Sequence, residues 1–235
     1  MTMIRGLFVT GTGTEVGKTF VTALIARQLS AAGHRVGVYK PVASGCPIEG
    51  GRRVCHDAVA LWQASGRRGE LARVCPQAWL APLAPHLAAR QEGAEVDDRL
   101  LESGLAYWSD RCDVVLVEGA GGLLSPISDS RDNADLAAAL SFPLLIVTAN
   151  RLGAINATRQ TLLAANSLHG GLKVAGIVIS DTAESRDDPS AAFNRRELET
   201  YCQVPLLTSV AYQGTRFDPV VDWAAILGGK SAARE

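Results

Sequence analysis

The residues best equipped for chemistry fall in three short runs and one isolated carboxylate. The first run is Gly11-Thr12-Gly13-Thr14-Glu15-Val16-Gly17-Lys18-Thr19, between a β-branched apolar stretch and a helical pattern. Its glycines let the backbone curl until several N–H groups face a phosphate. The helix that follows adds the partial positive charge of its N-terminus. There Lys18 reaches the β- and γ-phosphates and the Thr19 hydroxyl joins a Mg²⁺ shell. The strict phosphate-loop pattern fails by one residue, because Thr12 holds its first glycine position and Gly11 lies one residue earlier. Glu15 is unusual beside a triphosphate. It either turns toward a cationic substrate or a neighbouring chain, or is a solvated loop carboxylate.

The second run, Val38-Tyr39-Lys40-Pro41-Val42-Ala43-Ser44-Gly45, places Lys40 at a strand end. A second lysine facing the phosphate loop stabilises charge on a transferring phosphoryl group, and Ser44 can donate to an anionic substrate. A surface lysine is the plain alternative. The third run, Val117-Glu118-Gly119-Ala120-Gly121-Gly122, puts an acidic residue where phosphate-loop proteins hold their Mg²⁺ carboxylate. Its glycines allow close backbone approach to a ligand, and an exposed turn glutamate is the alternative. Asp57 is either a helix N-cap or a second metal carboxylate. Carboxylates beside a triphosphate are tolerable only with a cation between them.

These runs need elements to hold them at one edge. The apolar runs Ile4–Val9, Val36–Val42, Asp113–Val117, Leu144–Thr148, Val174–Ile179 and Pro205–Val210 predict strands. Helical patterns cover Gly17 to about Ala32, Asp57–Ala64, Asp97–Ser109, Asn133–Leu140, Ala154–Leu168 and Ser190–Tyr201. Strands that read as continuous apolar runs are buried on both faces. Helices between them imply right-handed crossovers and a mainly parallel sheet. The expected fold is a three-layer α/β sandwich with helices on both faces, in which ligands sit beyond the carboxyl ends of the strands. Gly45–Arg53 and Thr182–Pro189 predict loops, residues 1–228 a single domain, and residues 229–235 a flexible tail.

Composition agrees. The 235 residues are 47% hydrophobic and 20% charged, with a formal net charge of -1. That supports a buried core and gives no sign of a polyanion-binding surface, so no nucleic-acid partner is expected. The apolar N-terminal run is too short for a signal peptide, and no stretch approaches a membrane helix. Five cysteines without a C-x-x-C pair argue against a disulfide framework or a structural zinc site, and for a reducing cytoplasm.

Taken in order, several segments resemble the dethiobiotin synthetase family, of the P-loop NTPase superfamily. They are Thr10–Thr19, Tyr39–Gly45, His56-Asp57, Pro85-His86 with Gln91-Glu92-Gly93, Val117–Gly122 and Leu152–Asn156. They span roughly the first two-thirds of the chain. The resemblance implies that 7,8-diaminononanoate, CO₂ and ATP give dethiobiotin, ADP and phosphate, through a carbamate and a carbamic–phosphoric anhydride. It implies catalytic roles for Lys40 and Lys18, and a Mg²⁺ site of Thr19, Asp57 and Glu118. ATP contacts are implied at Thr14, Glu15, Val16, Gly17, Lys18, Thr19, Phe20, Asp57, Glu118, Gly119, Ala120 and Gly121, and at Ser180, Asp181, Val210, Ala211 and Tyr212. Substrate contacts are implied at Thr14, Ser44, Gly121, Arg151, Leu152, Gly153 and Asn156, in a cytoplasmic homodimer whose Arg151–Asn156 segment reaches the partner's substrate. One departure stands out. The family often carries Asn-Asp where this chain has Ser180-Asp181, and a hydroxyl cannot offer the paired donor and acceptor of an amide. Nucleoside triphosphates other than ATP are therefore expected to serve.

Three other readings compete, of which an inactive family member serving as a partner protein is opposed by the complete set of Lys18, Thr19, Lys40, Asp57 and Glu118. A partitioning ATPase of the ParA/MinD kind shares the fold, but carries an extra lysine where this chain has Gly13 and lacks the Lys40–Ser44 segment. A cobyrinic-acid amidotransferase needs a glutaminase domain for which the chain has no room.

Overall fold

The computed structural model describes residues 4–228. Strand β1 (Arg5–Gly11) leads into helix α1 (Lys18–Ala31), followed by β2 (Val36–Tyr39) and the short β3 (Val42–Ala43). A hairpin of β4 (Ile48–Glu49) and β5 (Arg52–Arg53) precedes α2 (His56–Ala64) and α3 (Leu71–Val74). Next come β6 (Gln77–Ala78), α4 (Pro85–Gln91), α5 (Asp98–Ser103) and α6 (Ala106–Ser109). The second half runs β7 (Val114–Gly122), α7 (Asn133–Leu140), β8 (Leu144–Ala149), α8 (Ala154–Ser167) and β9 (Val174–Ser180). It closes with α9 (Ala191–Tyr201), β10 (Leu206–Val210) and α10 (Trp223–Ile226).

Six strands form one sheet in the order β10-β9-β8-β1-β7-β2, with every pairing parallel. Helices cover both faces, as the alternating apolar runs require. Every residue of β8 is buried, as is every residue of β2. The strand order reverses about β1, which lies between β7 and β8, so the crevice where ligands bind in such sheets opens at its carboxyl end. That is where the phosphate loop begins.

The structure differs from the sequence expectations where contacts between distant segments intervene. The second strand stops at Tyr39. Pro41 has no N–H to give a ladder, and the Lys40 N–H turns to the Val74 carbonyl at 2.7 Å. Val42-Ala43 then pairs with Gln77-Ala78 instead. The third strand runs on through its glycines to Gly122, which pairs with Gly11. The helix expected over Asp97–Ser109 is two helices. The Tyr39 hydroxyl donates to the Leu100 and Leu101 carbonyls at 2.8 and 3.1 Å, and the Leu105 N–H turns back to Glu102. The loop Gly45–Arg53 holds the β4–β5 hairpin, whose tip residues Gly50 and Gly51 both have positive φ, as a tight two-residue turn demands. The loop Thr182–Pro189 contains one 3₁₀ turn, Ala183–Arg186. The tail expected over residues 229–235 lies outside the described residues.

Leu116 is fully buried in the middle of β7, between β1 and β2. Leu116→Ala should lower unfolding stability by about 2–5 kcal/mol, read as a shift in the urea midpoint with an unchanged slope.

Candidate active site

The loop after β1 is built as an anion cradle. Gly17 caps α1 with φ 92°, a left-handed conformation suited to glycine, and a Cβ there would lie 2.4 Å from Ser180 Oγ. Thr12, which replaces the expected glycine, anchors the loop. Its N–H donates to the Val147 carbonyl at 2.9 Å and its hydroxyl to Thr148 at 3.3 Å. Val16 is buried and packs toward Gly11. Glu15 is exposed with φ 59°. Lys18 is buried and donates to the Gly13 carbonyl at 2.8 Å, so its ammonium closes onto its own loop. Burial lowers its pKa to about 8. Glu118 and Asp57 oppose that effect, while Lys40 adds to it.

The charged groups from the other runs meet at this loop. Lys40 is 4% exposed and Glu118 fully buried. Lys40 Nζ lies 2.7 Å from Glu118 Oε1 and 3.1 Å from Asp57 Oδ2. The Thr19 hydroxyl donates to the same Glu118 oxygen at 2.7 Å. Burial works against the Lys40 ammonium, but the charges of Glu118 and Asp57 and the hydrogen bond to Glu118 outweigh it. The Lys40 pKa is raised above the ordinary lysine range. The surface-lysine and exposed-glutamate readings are therefore excluded. Asp57 is not an N-cap either. Cys55 holds that position, and Asp57 lies in the first turn of α2 with its side chain turned to Lys40.

Two clefts adjoin the phosphate loop, and the first of them also borders the charged cluster. One, of about 360 Å³, is lined by Thr14, Glu15, Gly17, Lys18, Thr19 and Phe20, with Lys40, Ala43, Ser44, Asp57, Ala120 and Gly121 opposite. The other, about 310 Å³, is lined by Thr12, Gly13, Thr14, Arg151, Leu152 and Gly153, among others. Thr14 borders both. Asn156 does not join them; it lines a separate cavity with Arg159 and Tyr201. Arg151 pairs with Glu184, and the Leu152 N–H donates to Asp188 at 2.6 Å. Leu152 itself is 82% exposed. The largest cavity, about 870 Å³, lies at the amino ends of the strands near Arg5, Phe142 and Lys173. It holds none of the candidate residues, so its size says nothing about this chemistry.

The ends of β9 and β10 form a third corner. Ser180 is buried with its hydroxyl toward Gly17. Asp181 accepts from the Asn150 side chain at 2.8 Å, and its N–H donates to the Val210 carbonyl at 2.9 Å. Val210 is buried and Ala211 exposed, and Arg186 stacks over Tyr212 at 4.4 Å. The base-side residues expected from the sequence thus stand together, next to the phosphate loop through Ser180 and Gly17.

Asn133 escaped the sequence reading. It is fully buried at the start of α7, and its amide donates to the Ala120 and Gly122 carbonyls at 2.7 and 2.8 Å. Its carbonyl accepts the Ala120 N–H at 3.2 Å. These bonds hold the glycine-rich end of β7 in place, and a Cβ at Gly119 would lie 2.5 Å from Asn133 Oδ1. The only signal in the sequence is the Asp132…Asp135 capping box, which marks a helix start and not a brace. Ser125 helps, accepting the Gly122 N–H at 2.8 Å.

Glu118 Oε2 is buried and has no hydrogen-bond partner among the described residues. An orphaned carboxylate oxygen is costly unless a cation or donor meets it. With Thr19 and Asp57 it makes a set of hard oxygen donors, the kind Mg²⁺ prefers. The residues present fit such an ion. Among the described residues no group of three or more His, Cys, Asp or Glu is arranged to hold a metal, so the carboxylates here number two, Glu118 and Asp57.

Comparison with known proteins points one way. A family model described as an AAA domain matches residues 5–215. The ATP-dependent dethiobiotin synthetase BioD of Rhodopirellula baltica is 45% identical over 214 residues, 86% of this chain and 82% of that relative. The protein of the same name from Anaeromyxobacter dehalogenans is 44% identical over 196 residues, covering 83% and 84%. BioD 1 of Escherichia coli is 40% identical over 182 residues, covering 76% and 79%. Among solved structures, the signal recognition particle receptor FtsY from Elizabethkingia anophelis superposes with a TM-score of 0.54 at 14% identity. That match covers 97% of this chain, which spans 65% of the FtsY chain. This last likeness speaks for the fold alone.

The low Lys18 pKa has a thermodynamic consequence. A bound polyphosphate favours the ammonium, so binding near pH 8.5 should take up a proton, whereas binding below pH 7 should not. Calorimetric titration with a nucleoside triphosphate in buffers of different ionisation enthalpy should show a buffer-dependent heat only in the alkaline range.

Proposed function

The chain belongs to the ATP-dependent dethiobiotin synthetase family and is an ATP-dependent cyclo-ligase of biotin biosynthesis; on that premise we propose how its residues divide the work. The observation that carries the assignment is the Lys40 ammonium, held between Glu118 and Asp57 beside the cleft that Lys18 and Thr19 share. Two anions, a triphosphate and a substrate carbamate, must be brought together there against their repulsion. Only a site with concentrated positive charge can do this.

In this reading Lys18 leaves the Gly13 carbonyl for the β- and γ-phosphates, and the loop N–H groups take the remaining phosphate oxygens. Glu118, Asp57 and Thr19 hold Mg²⁺. Bound there, the ion would offset the charge of the phosphates. Thr14, Ser44 and Gly121 receive the carbamate formed when one amine of 7,8-diaminononanoate adds to CO₂. Lys40 faces the γ-phosphoryl group and stabilises the charge that develops as the carbamate oxygen attacks. The resulting carbamic–phosphoric anhydride is opened by the second amine, which closes the urea ring and releases phosphate. Gly119 and Ala120 let the backbone come close to the nucleotide.

Ser180, Asp181, Val210, Ala211 and Tyr212 surround the base. Position 180 offers a hydroxyl, directed at Gly17, in place of an amide that could read adenine. The substrate tail is proposed to meet Arg151, Leu152, Gly153 and Asn156 from the second subunit of a homodimer. The high exposure of Leu152, and the position of Asn156 outside the Thr14 clefts of its own chain, support that arrangement. No helix among the described residues is long and apolar enough to cross a membrane. We place the enzyme in the cytoplasm, with small molecules and its own second copy as partners. The partitioning-ATPase reading is disfavoured by Gly13 at the position of its extra lysine and by the coupling of Lys40 to Glu118.

Purified protein with 7,8-diaminononanoate, bicarbonate and MgATP should yield a cyclic urea detectable by mass; slow hydrolysis indifferent to the diamine would overturn the assignment. Lys40→Met should lower kcat by about 100-fold or more while shifting KM for ATP only a few-fold. Equal losses in both would remove the assigned role. CTP and GTP should support turnover within about tenfold of ATP, since a single base-reading hydrogen bond contributes on that scale; a strong ATP bias would place adenine recognition elsewhere.

A further inference from the structure

Three of the five free cysteines come together next to the charged site, and the reaction above uses none of them. Cys46 follows Ser44 by two residues, and Cys55 is the N-cap of α2, two residues before Asp57. Cys75 follows Val74, whose carbonyl accepts the Lys40 N–H. Cys46 and Cys75 are the side chains that act most strongly on the Cys55 thiol, which places the three close together. Cys46 Sγ also lies 3.8 Å from the Ser44 carbonyl, and Cys75 Sγ 3.4 Å from that of Gln77.

Backbone register singles out one pair. In the β4–β5 hairpin Glu49 faces Arg52 and Ile48 faces Arg53. The ladder continues outward, because the Val54 N–H donates to the Pro47 carbonyl at 2.9 Å. The next facing pair is Cys46 and Cys55. Narrow and wide pairs alternate along such a ladder, and Pro47 with Val54 is a hydrogen-bonded pair. Cys46 with Cys55 is therefore the non-hydrogen-bonded kind, in which Cα atoms lie about 4.5 Å apart and side chains approach closely. The Cys46 N–H agrees, pointing away from the hairpin to the Trp79 carbonyl at 2.9 Å. Disulfides span Cα separations of about 4.4–6.8 Å, so this pair can be bridged without unfolding the hairpin.

We propose that Cys46 and Cys55 are an oxidant-addressable pair, a modification site at which a disulfide staples the Ser44 loop to the start of α2. With hydrogen peroxide, the Cys55 thiol takes one peroxide oxygen as a sulfenic acid and one water leaves. The Cys46 sulfur then displaces that oxygen as a second water, and the S–S bond forms. Two thiols lose two protons and two electrons, and one peroxide becomes two waters. Cys75, the neighbour of Cys55 on its other side, stays a free thiol in this assignment. The bond would hold together the segments carrying Ser44 and Asp57, whatever reaction those residues serve.

The test treats the full chain with hydrogen peroxide under native conditions, removes the peroxide, alkylates remaining thiols with a maleimide in denaturant at mildly acidic pH, and maps peptides by mass spectrometry. A Cys46–Cys55 crosslink is expected, erased by dithiothreitol, lost in Cys46→Ser and Cys55→Ser, and kept in Cys75→Ser. A bond from Cys55 to Cys75, Cys55 recovered as sulfinic acid with Cys46 alkylated, or three alkylated thiols would each overturn the proposal. Circular dichroism of each serine variant separates lost chemistry from lost fold, and the wild-type map decides the matter if a variant misfolds.

Discussion

The site turns on a lysine and a glutamate buried together. Lys40 and Glu118 are almost wholly removed from water, and neither is tolerable there alone. Their contact at 2.7 Å, with Asp57 at the rim and the Thr19 hydroxyl on the same oxygen, compensates the lost hydration. Such a pair adds little to stability compared with an apolar substitute. Its value is positional: it fixes a cation and a carboxylate beside the phosphate loop before any ligand arrives. Glu118 Oε2 remains without a partner, and this leaves the cluster ready for one more cation.

That placement follows from the order of the strands. β7 lies between β1 and β2 in parallel register, with Glu118 opposite Val9 and Val117 opposite Tyr39. The residue after Tyr39 and the residue after Val117 therefore reach the same edge as the loop that leaves β1. Pro41 turns the chain out of the sheet at that point, so the Lys40 side chain can fold back over β7. Asn133 then clamps the glycines beyond Glu118 from the far side. The same parallel sheet carries Ser180 to Gly17, so the end of β9 and the phosphate loop share a wall.

The resting arrangement is closed on itself. Lys18 bonds its own loop, and Lys40 occupies both carboxylates. In the proposed function, binding of a triphosphate with its divalent ion would exchange these internal contacts for ligand contacts.

The phosphate loop, the buried strands and most helices were legible in the chain itself, because each depends on local facts. Glycine spacing permits a curl, apolar runs demand burial on two faces, and Asn133–Leu140 reads as a helix and is one. What the local pattern could not carry was pairing between distant segments. The Tyr39 hydroxyl breaks the helix expected over Asp97–Ser109 from some sixty residues away in sequence. The loop Gly45–Arg53 is a hairpin because Gly50 and Gly51 let its arms meet. Glu118 in the sequence is an acid before three glycines; only the packing of β7 against its neighbours makes it a buried partner of Lys40. Residue type sets which chemistry is available, whereas the distance between two such residues is a property of the folded sheet.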